Sequence, residues 1–223
     1  MSGYRERIQE KISPVHMLRE NGAYTYNLAV SSGCGPTMMV EGRERINFIS
    51  NSYMGFSVHP KVIAAAHTAA DDYGIGIGGS PVACGTTKLH LQLAERLAAN
   101  YGTEAALIFT TGYQALAGTI QGMLVRNDIA LIDSLAHRSI VDGCALAGCK
   151  VRSFKHNDPS DLEELINSTA RHDVHRMVIV DSVYSMDGDI APLPRLNEIC
   201  RPAGVTIMTV SYTHLTLPTI LLV

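Results

Sequence analysis

Residues 105–133 read AALIFTTGYQALAGTIQGMLVRNDIALID. The run AALIFT (105–110) is short and apolar, as a buried strand is. GYQALAGTIQGMLV (112–125) carries its apolar residues at helical spacing, and ALID (130–133) is a second short strand. Strand, helix and strand in such close succession predict parallel strands, because a helix is the usual crossover between them. The rhythm continues downstream. HRSIVDGCALAG (137–148) reads as a helix, KVRSF (150–154) as a strand, and DLEELINSTAR (161–171) as a helix capped by Asp158 or Ser160. HRMVIVDSV (175–183) contains a strand, LPRLNEICRPAG (193–204) is a helix, and VTIMTV (205–210) is a strand. The expected class is α/β, a mainly parallel sheet with helices on both faces.

Upstream, KLHLQLAERLAANYG (88–102) is an amphipathic helix. It sets Leu89, Leu93, Leu97 and Tyr101 near one face and ends at Gly102. HPKVIAAAHTAADDY (59–73) is a helix with Pro60 at its start. MMVEGRERINF (38–48) has two arms around Glu41-Gly42-Arg43, a hairpin. YRERIQEKISPVHMLRE (4–20) reads as a polar helix interrupted near Pro14. These readings divide the chain into a helix-and-hairpin segment at 1–48, an α/β domain at 49–210 and a tail at 211–223 that breaks the pattern.

Composition limits the functional classes. A net charge of −3 over 223 residues gives no reason to expect nucleic acid or an anionic membrane as partner. The five cysteines, Cys34, Cys84, Cys144, Cys149 and Cys200, form no C-x-x-C pair, so reduced thiols in a cytoplasmic protein are expected. No apolar run approaches the ~20 residues of a membrane span.

Gly74, Gly76 and Gly79 in YGIGIGGSP (73–81) match the dinucleotide fingerprint G-x-G-x-x-G. That fingerprint needs a strand before it and a helix opening within it. Here a helix precedes it, and Ser80-Pro81 favours extended backbone after it, so a glycine-rich connector is expected instead.

In an open parallel sheet, ligands bind at the carboxyl ends of the strands. Thr110-Thr111-Gly112-Tyr113 opens a helix there, where free N–H groups and hydroxyls either hold an anion or simply cap the helix. His137 follows the next strand, as a catalyst or as an ordinary helix-end residue. Asp181, Asp187 and Asp189 follow another strand, at a spacing that fits no specific metal loop. Asp187-Gly188 reads as a turn.

Taken together, ISNSYMGFSVHP (49–60), YGIGIGGSPVACGTTKLHLQLAERLA (73–98), ALIFTTGYQA (106–115), LAHRSIVDG (135–143), FKHND (154–158) and VYSMDGDIAPLP (183–194) resemble the α-oxoamine synthases. These are pyridoxal-phosphate (PLP) enzymes of the fold type I aminotransferase superfamily. The resemblance spans residues 40–210 and implies an incomplete PLP-dependent transferase fold type I large domain. It implies condensation of an amino acid with an acyl-CoA, releasing CoA and carbon dioxide and leaving an amino ketone. It implies that Gly112 and Tyr113, beside Thr111, hold the cofactor phosphate. It also implies that His137 stacks on the pyridine ring, that Asn51 lies near the substrate carboxylate, and that Asp181 and Ser185 face the cofactor. The glycine loop 74–86 would lie at a homodimer interface, with Thr86 or Thr87 near the partner's cofactor phosphate. A different aminotransferase-like PLP enzyme and a non-catalytic PLP-fold protein are the alternatives.

Two departures stand out. Where the family carries the Asp that pairs with the ring nitrogen, this chain has Ser211, although His214 falls in register with a family His. The family's Schiff-base lysine lies in an S/T-x-x-K block, and none of Lys11, Lys61, Lys88, Lys150 and Lys155 sits in one. The expectation is a truncated chain that lacks covalent PLP attachment and is inactive alone, with a tail foreign to the family.

Overall fold

A computed structural model describes residues 2–26, 28–171 and 173–211. The chain divides into two compact units, Met1–Gly78 and Gly79–Val223.

The first unit holds α1 (Ser2–Glu20), the hairpin β1 (Thr37–Val40) and β2 (Arg43–Ile46), and α2 (Pro60–Tyr73). The hairpin is antiparallel, with Val40 opposite Arg43. Glu41 and Gly42 form its two-residue turn with φ of 50° and 70°, the left-handed pair a tight hairpin needs. α1 corrects an expectation: it runs unbroken through Pro14. Proline removes one hydrogen bond, and most of this helix is exposed, so water can satisfy the freed carbonyl.

The second unit begins with α3 (Pro81–Cys84), a single turn entered through Ser80, whose backbone is extended (φ −69°, ψ 154°) as the following proline requires, and α4 (Lys88–Tyr101). Then come α5 (Gly112–Met123), β3 (Ile129–Asp133), α6 (Arg138–Ala147), β4 (Lys150–Phe154) and α7 (Pro159–Ser168). β5 (Arg176–Asp181), α8 (Leu193–Cys200) and β6 (Thr206–Val210) complete it. The sheet has four strands in the order β4-β3-β5-β6, and every pairing is parallel. β3 and β5 are central, and every residue in them is buried.

Alternation along these strands divides the core in two. Leu131, Val178 and Val180 pack with Leu162, Ile166 and Leu196 of α7 and α8. Ala130, Ile132, Met177 and Ile179 pack with Leu116 and Ile120 of α5 and Ile140 and Cys144 of α6. The sheet is covered on both faces, as expected. By the same alternation, the last residues of the two central strands point oppositely: Asp133 toward the α7/α8 side and Asp181 toward the α5/α6 side.

The run 105–110 corrects a second expectation, for it forms no strand among the described residues. A strand exists only where a neighbour completes its ladder of hydrogen bonds. The described sheet offers 105–110 no such neighbour. Leu107 is 83% exposed, and Phe109 lies against Gly118 of α5. The leucine stripe of α4 also stays outside the core, with Leu89 and Leu93 more than two-fifths exposed and Ala98 the buried residue of that helix.

The glycine connector behaves as expected: Gly74 caps the end of α2 with φ 72°, so a helix directly precedes it.

Candidate functional site

Parallel pairing places the ends of β3, β5 and β6 on one edge of the sheet. The residues that follow them meet there. A cavity of about 270 Å³ is lined by Leu135, Ala136, His137, Arg138, Asp181, Tyr184, Ser185, Met186 and Asp187. Three of the expected residues, His137, Asp181 and Ser185, thus share one cavity.

Each is held by a local device. His137 caps α6: its Nδ1 accepts the backbone N–H of Ser139 at 3.2 Å, which leaves the exposed imidazole in a set orientation. Its own backbone N–H donates to Asp181 Oδ2 at 2.9 Å. Asp181 is buried at the end of β5, and burial raises its carboxyl pKa while the His137 N–H opposes the rise. Ser185 stands exposed on the loop after β5, whose neck is closed by bonds from Tyr184 N to Asp189 O (2.9 Å) and from Gly188 N to Tyr184 O (2.7 Å).

Thr111 is the N-cap of α5, its hydroxyl accepting Gln114 N–H at 3.1 Å. The N–H groups of Gly112 and Tyr113 begin the helix, so they have no intrahelical acceptor and face outward for an anion. Tyr113 is tied to α6 through its hydroxyl, which donates to Asp142 Oδ2 at 3.0 Å. Asp142 also accepts from Arg138 Nε at 2.7 Å, one residue beyond His137. The hydrogen bond to Asp142 raises the Tyr113 pKa and keeps the phenol neutral. Close α5–α6 packing reinforces this link, because a Cβ on Gly143 would lie 2.9 Å from Ile120 Cδ1 and 3.2 Å from Ala117 Cα.

Asn51 belongs to the first unit. His214 lies outside the described residues. Ser211 follows β6 at the same sheet edge, where Ser182 N–H donates to the neighbouring Val210 carbonyl at 2.8 Å. No lysine lines the cavity. Lys155 Nζ, at the end of β4, is paired with Asp161 at 3.3 Å, and Lys150 lies at the opposite end of that strand.

Sequence reasoning left a second group of site-edge residues without a role. Asp133, which is buried, and the half-buried His156, Asn157 and Asp189 form a polar cluster beneath the Tyr184–Asp189 loop. The available signal was position: Asp133 ends β3, and His156-Asn157 follow the end of β4.

Residues 43–209 match the sequence pattern of the family described as Aminotransferase class I and II. The chain belongs to that family. Within it, the chain is 41% identical over 194 residues to the 8-amino-7-oxononanoate synthase of Geobacter sulfurreducens, covering 87% of this chain and 49% of that one. It is 34% identical over 205 residues to a serine palmitoyltransferase of Sphingobacterium spiritivorum, covering 91% and 51%. A solved single-substitution variant of serine palmitoyltransferase from S. paucimobilis, with bound PLP–myriocin aldimine, superposes with a TM-score of 0.86 at 28% identity, covering 92% and 52%. The fold is therefore that of the PLP-dependent fold type I enzymes. The chain spans about half the length of the curated relatives it matches.

Proposed function

We propose that the His137 cavity, with the start of α5, binds PLP. The chain then supplies the cofactor-holding part of an enzyme that condenses an amino acid with an acyl-CoA, in the manner of 8-amino-7-oxononanoate synthase. The observation that carries this reading is the convergence of His137, Asp181 and Ser185 on one cavity at the sheet edge.

The donor set fits the cofactor. Thr111 and the free N–H groups of Gly112 and Tyr113 suit a phosphate, because the helix start adds a partial positive charge to its donors. The exposed face of His137 suits an aromatic ring, and the Ser185 hydroxyl is a hydrogen-bond partner at the rim. When bound, PLP supplies an electron sink for the carbanion that forms at the amino acid's α-carbon. The chain's own residues do the rest of the holding. Asp181 fixes the His137 backbone, and the Tyr113–Asp142–Arg138 chain sets the phosphate cup against the ring site. Ser211 carries no charge, so these residues hold the ring without a carboxylate from the end of β6. The higher identity to the 8-amino-7-oxononanoate synthase than to the serine palmitoyltransferase supports the first as the closer functional type.

Titration of the purified chain with PLP, followed by absorbance and fluorescence, tests the site. Saturable binding is expected, and pyridoxal without its phosphate should bind about 10–100-fold more weakly. Equal affinity for the two would overturn the phosphate cup at Thr111–Tyr113. Absence of saturable binding would overturn the site.

A further inference from the structure

The half-buried cluster under the Tyr184–Asp189 loop has a geometry that suits a charged imidazole. Asp133 is 1% exposed. Its Oδ1 accepts from Leu135 N at 2.8 Å, and its Oδ2 accepts from Asn157 N at 3.0 Å. His156 lies between two carboxylates, with Nδ1 at 2.9 Å from Asp133 Oδ1 and Nε2 at 2.6 Å from Asp189 Oδ2. An ionised carboxylate only accepts hydrogen bonds, so with both carboxylates ionised both ring nitrogens donate and the ring between them is an imidazolium. Asn157 Nδ2 donates to the same Asp189 oxygen at 2.7 Å. The Tyr184 ring meets the imidazole edge-on, with centroids 4.5 Å apart.

The two ends of this bridge lead to the two walls of the candidate site. Asp133 holds Leu135, two residues before His137, so one end orients the His137 turn. Asp189 closes the loop that carries Ser185 at its tip, so the other end orients Ser185. We propose that His156 is a positioning residue: its doubly donating ring clamps the Ser185 loop to the Asp133 end of β3 and so sets the width of the cavity. His156 does not line that cavity and acts only through the residues that do. The clamp stands on its own geometry, and its consequence for the cofactor rests on the reading of the cavity as a PLP site.

The charges around the ring give the clamp a defined pH range. The ionisable groups facing His156 are Asp133 from β3, and Asp189 and Tyr184 from the loop. The Asp133 hydrogen bond raises the His156 pKa above the 6.5 of a free imidazole; burial opposes this and Asp189 adds to it. The His156 bond in turn lowers the Asp189 pKa below 3.8. Tyr184 stays neutral, because burial raises its pKa far above the ordinary phenol value. For the histidine, the stabilisation is complete below 6.5 and disappears as pH rises through the raised value. For the aspartate, it is complete above 3.8 and disappears as pH falls through the depressed value. The clamp is closed between these limits.

The test uses the whole chain without cofactor first. Long-range proton–nitrogen NMR of histidine-labelled protein should show the His156 ring doubly protonated above pH 6.5. Amide exchange of peptide 182–190, corrected for intrinsic rate, should accelerate about tenfold as pH rises through that titration. His156→Gln, which has no titrating ring, should abolish this dependence. Asp189→Asn, which leaves the Asp133 contact in place, should lower the ring's pKa even if the glutamine variant fails to fold. A neutral ring at pH 6.5, or loop exchange that ignores the ring's titration in the wild-type chain, would overturn the clamp. PLP affinity, measured over the same range, should fall with the clamp. A chain that binds no PLP at any pH, while ring and loop still titrate together, upholds the clamp and refutes the cofactor reading instead.

Discussion

The turn between β3 and α6 shows how a few atoms prepare a site. His137 uses Nδ1 to cap its helix and its backbone N–H to engage Asp181, so both the position and the tilt of the ring are set before a ligand arrives. A helix cap of this kind contributes about 1 kcal/mol, so the capping and the ring-presenting roles reinforce each other. The lysines show the opposite case. Lys155 follows the end of β4, yet its amine pairs with Asp161 at 3.3 Å, and that hydrogen bond raises its pKa, favouring the protonated form. A protonated amine is not a nucleophile. The chain mixed with stoichiometric PLP and reduced with borohydride should therefore show no dominant adduct by intact mass. One adduct mapping to one lysine would contradict this and identify an attachment residue outside the family pattern.

At the scale of elements, the α5–α6 contact matters most for the site, because each helix starts at one part of it. Gly143 makes that contact possible by leaving room for Ile120 and the Ala117 backbone. Gly143→Ala should gain a little helix propensity but force the two helices apart, for a net loss of about 1–3 kcal/mol in stability by urea unfolding. It should also separate Tyr113 from Asp142 and weaken PLP binding. Unchanged stability with unchanged PLP affinity would show that the helices tolerate the extra methyl and that the contact does not position the cup. At the far end of the same strands, the Asp128 side chain accepts Val125 N and His175 N, while its carbonyl accepts Lys150 N. This joins the starts of β3, β4 and β5 and leaves their other ends free to carry loops. Arg176 donates to the Ile166 and Ala203 carbonyls at 2.8 Å each, capping the last turn of α7 and the turn that follows α8.

For the molecule as a whole, stability is concentrated in the doubly covered sheet. Hydrogen exchange should find the amides of Ala130–Ile132 and Val178–Val180 protected by a factor of about 10³ or more, because they open only on global unfolding. Amides 106–109 should exchange at nearly unfolded rates, since they lie in an exposed segment without a ladder partner. Strong protection of 106–109 would show that this run has found a strand neighbour in solution. No described helix is long and apolar enough to cross a membrane.

The order of strands and helices from residue 112 to 210 was legible in the sequence because each element carries its own period and its own punctuation. Asp158 before α7, Gly102 after α4 and Glu41-Gly42 in the hairpin are local signals that need no distant partner. The candidate site was legible as positions, since His137 and Ser185 follow strands and Asp181 ends one. Three things depended on tertiary structure. The apolar run 105–110 has strand character, but a strand is completed by its neighbour's hydrogen bonds, and sequence does not say whether a neighbour is there. The leucine stripe of α4 has the right period, but burial needs a surface to pack against. The His156 bridge joins residues from β3, the turn after β4 and the loop after β5. Its charge arises only when two carboxylates remote in sequence close on one imidazole, a coincidence of distance that no local pattern encodes.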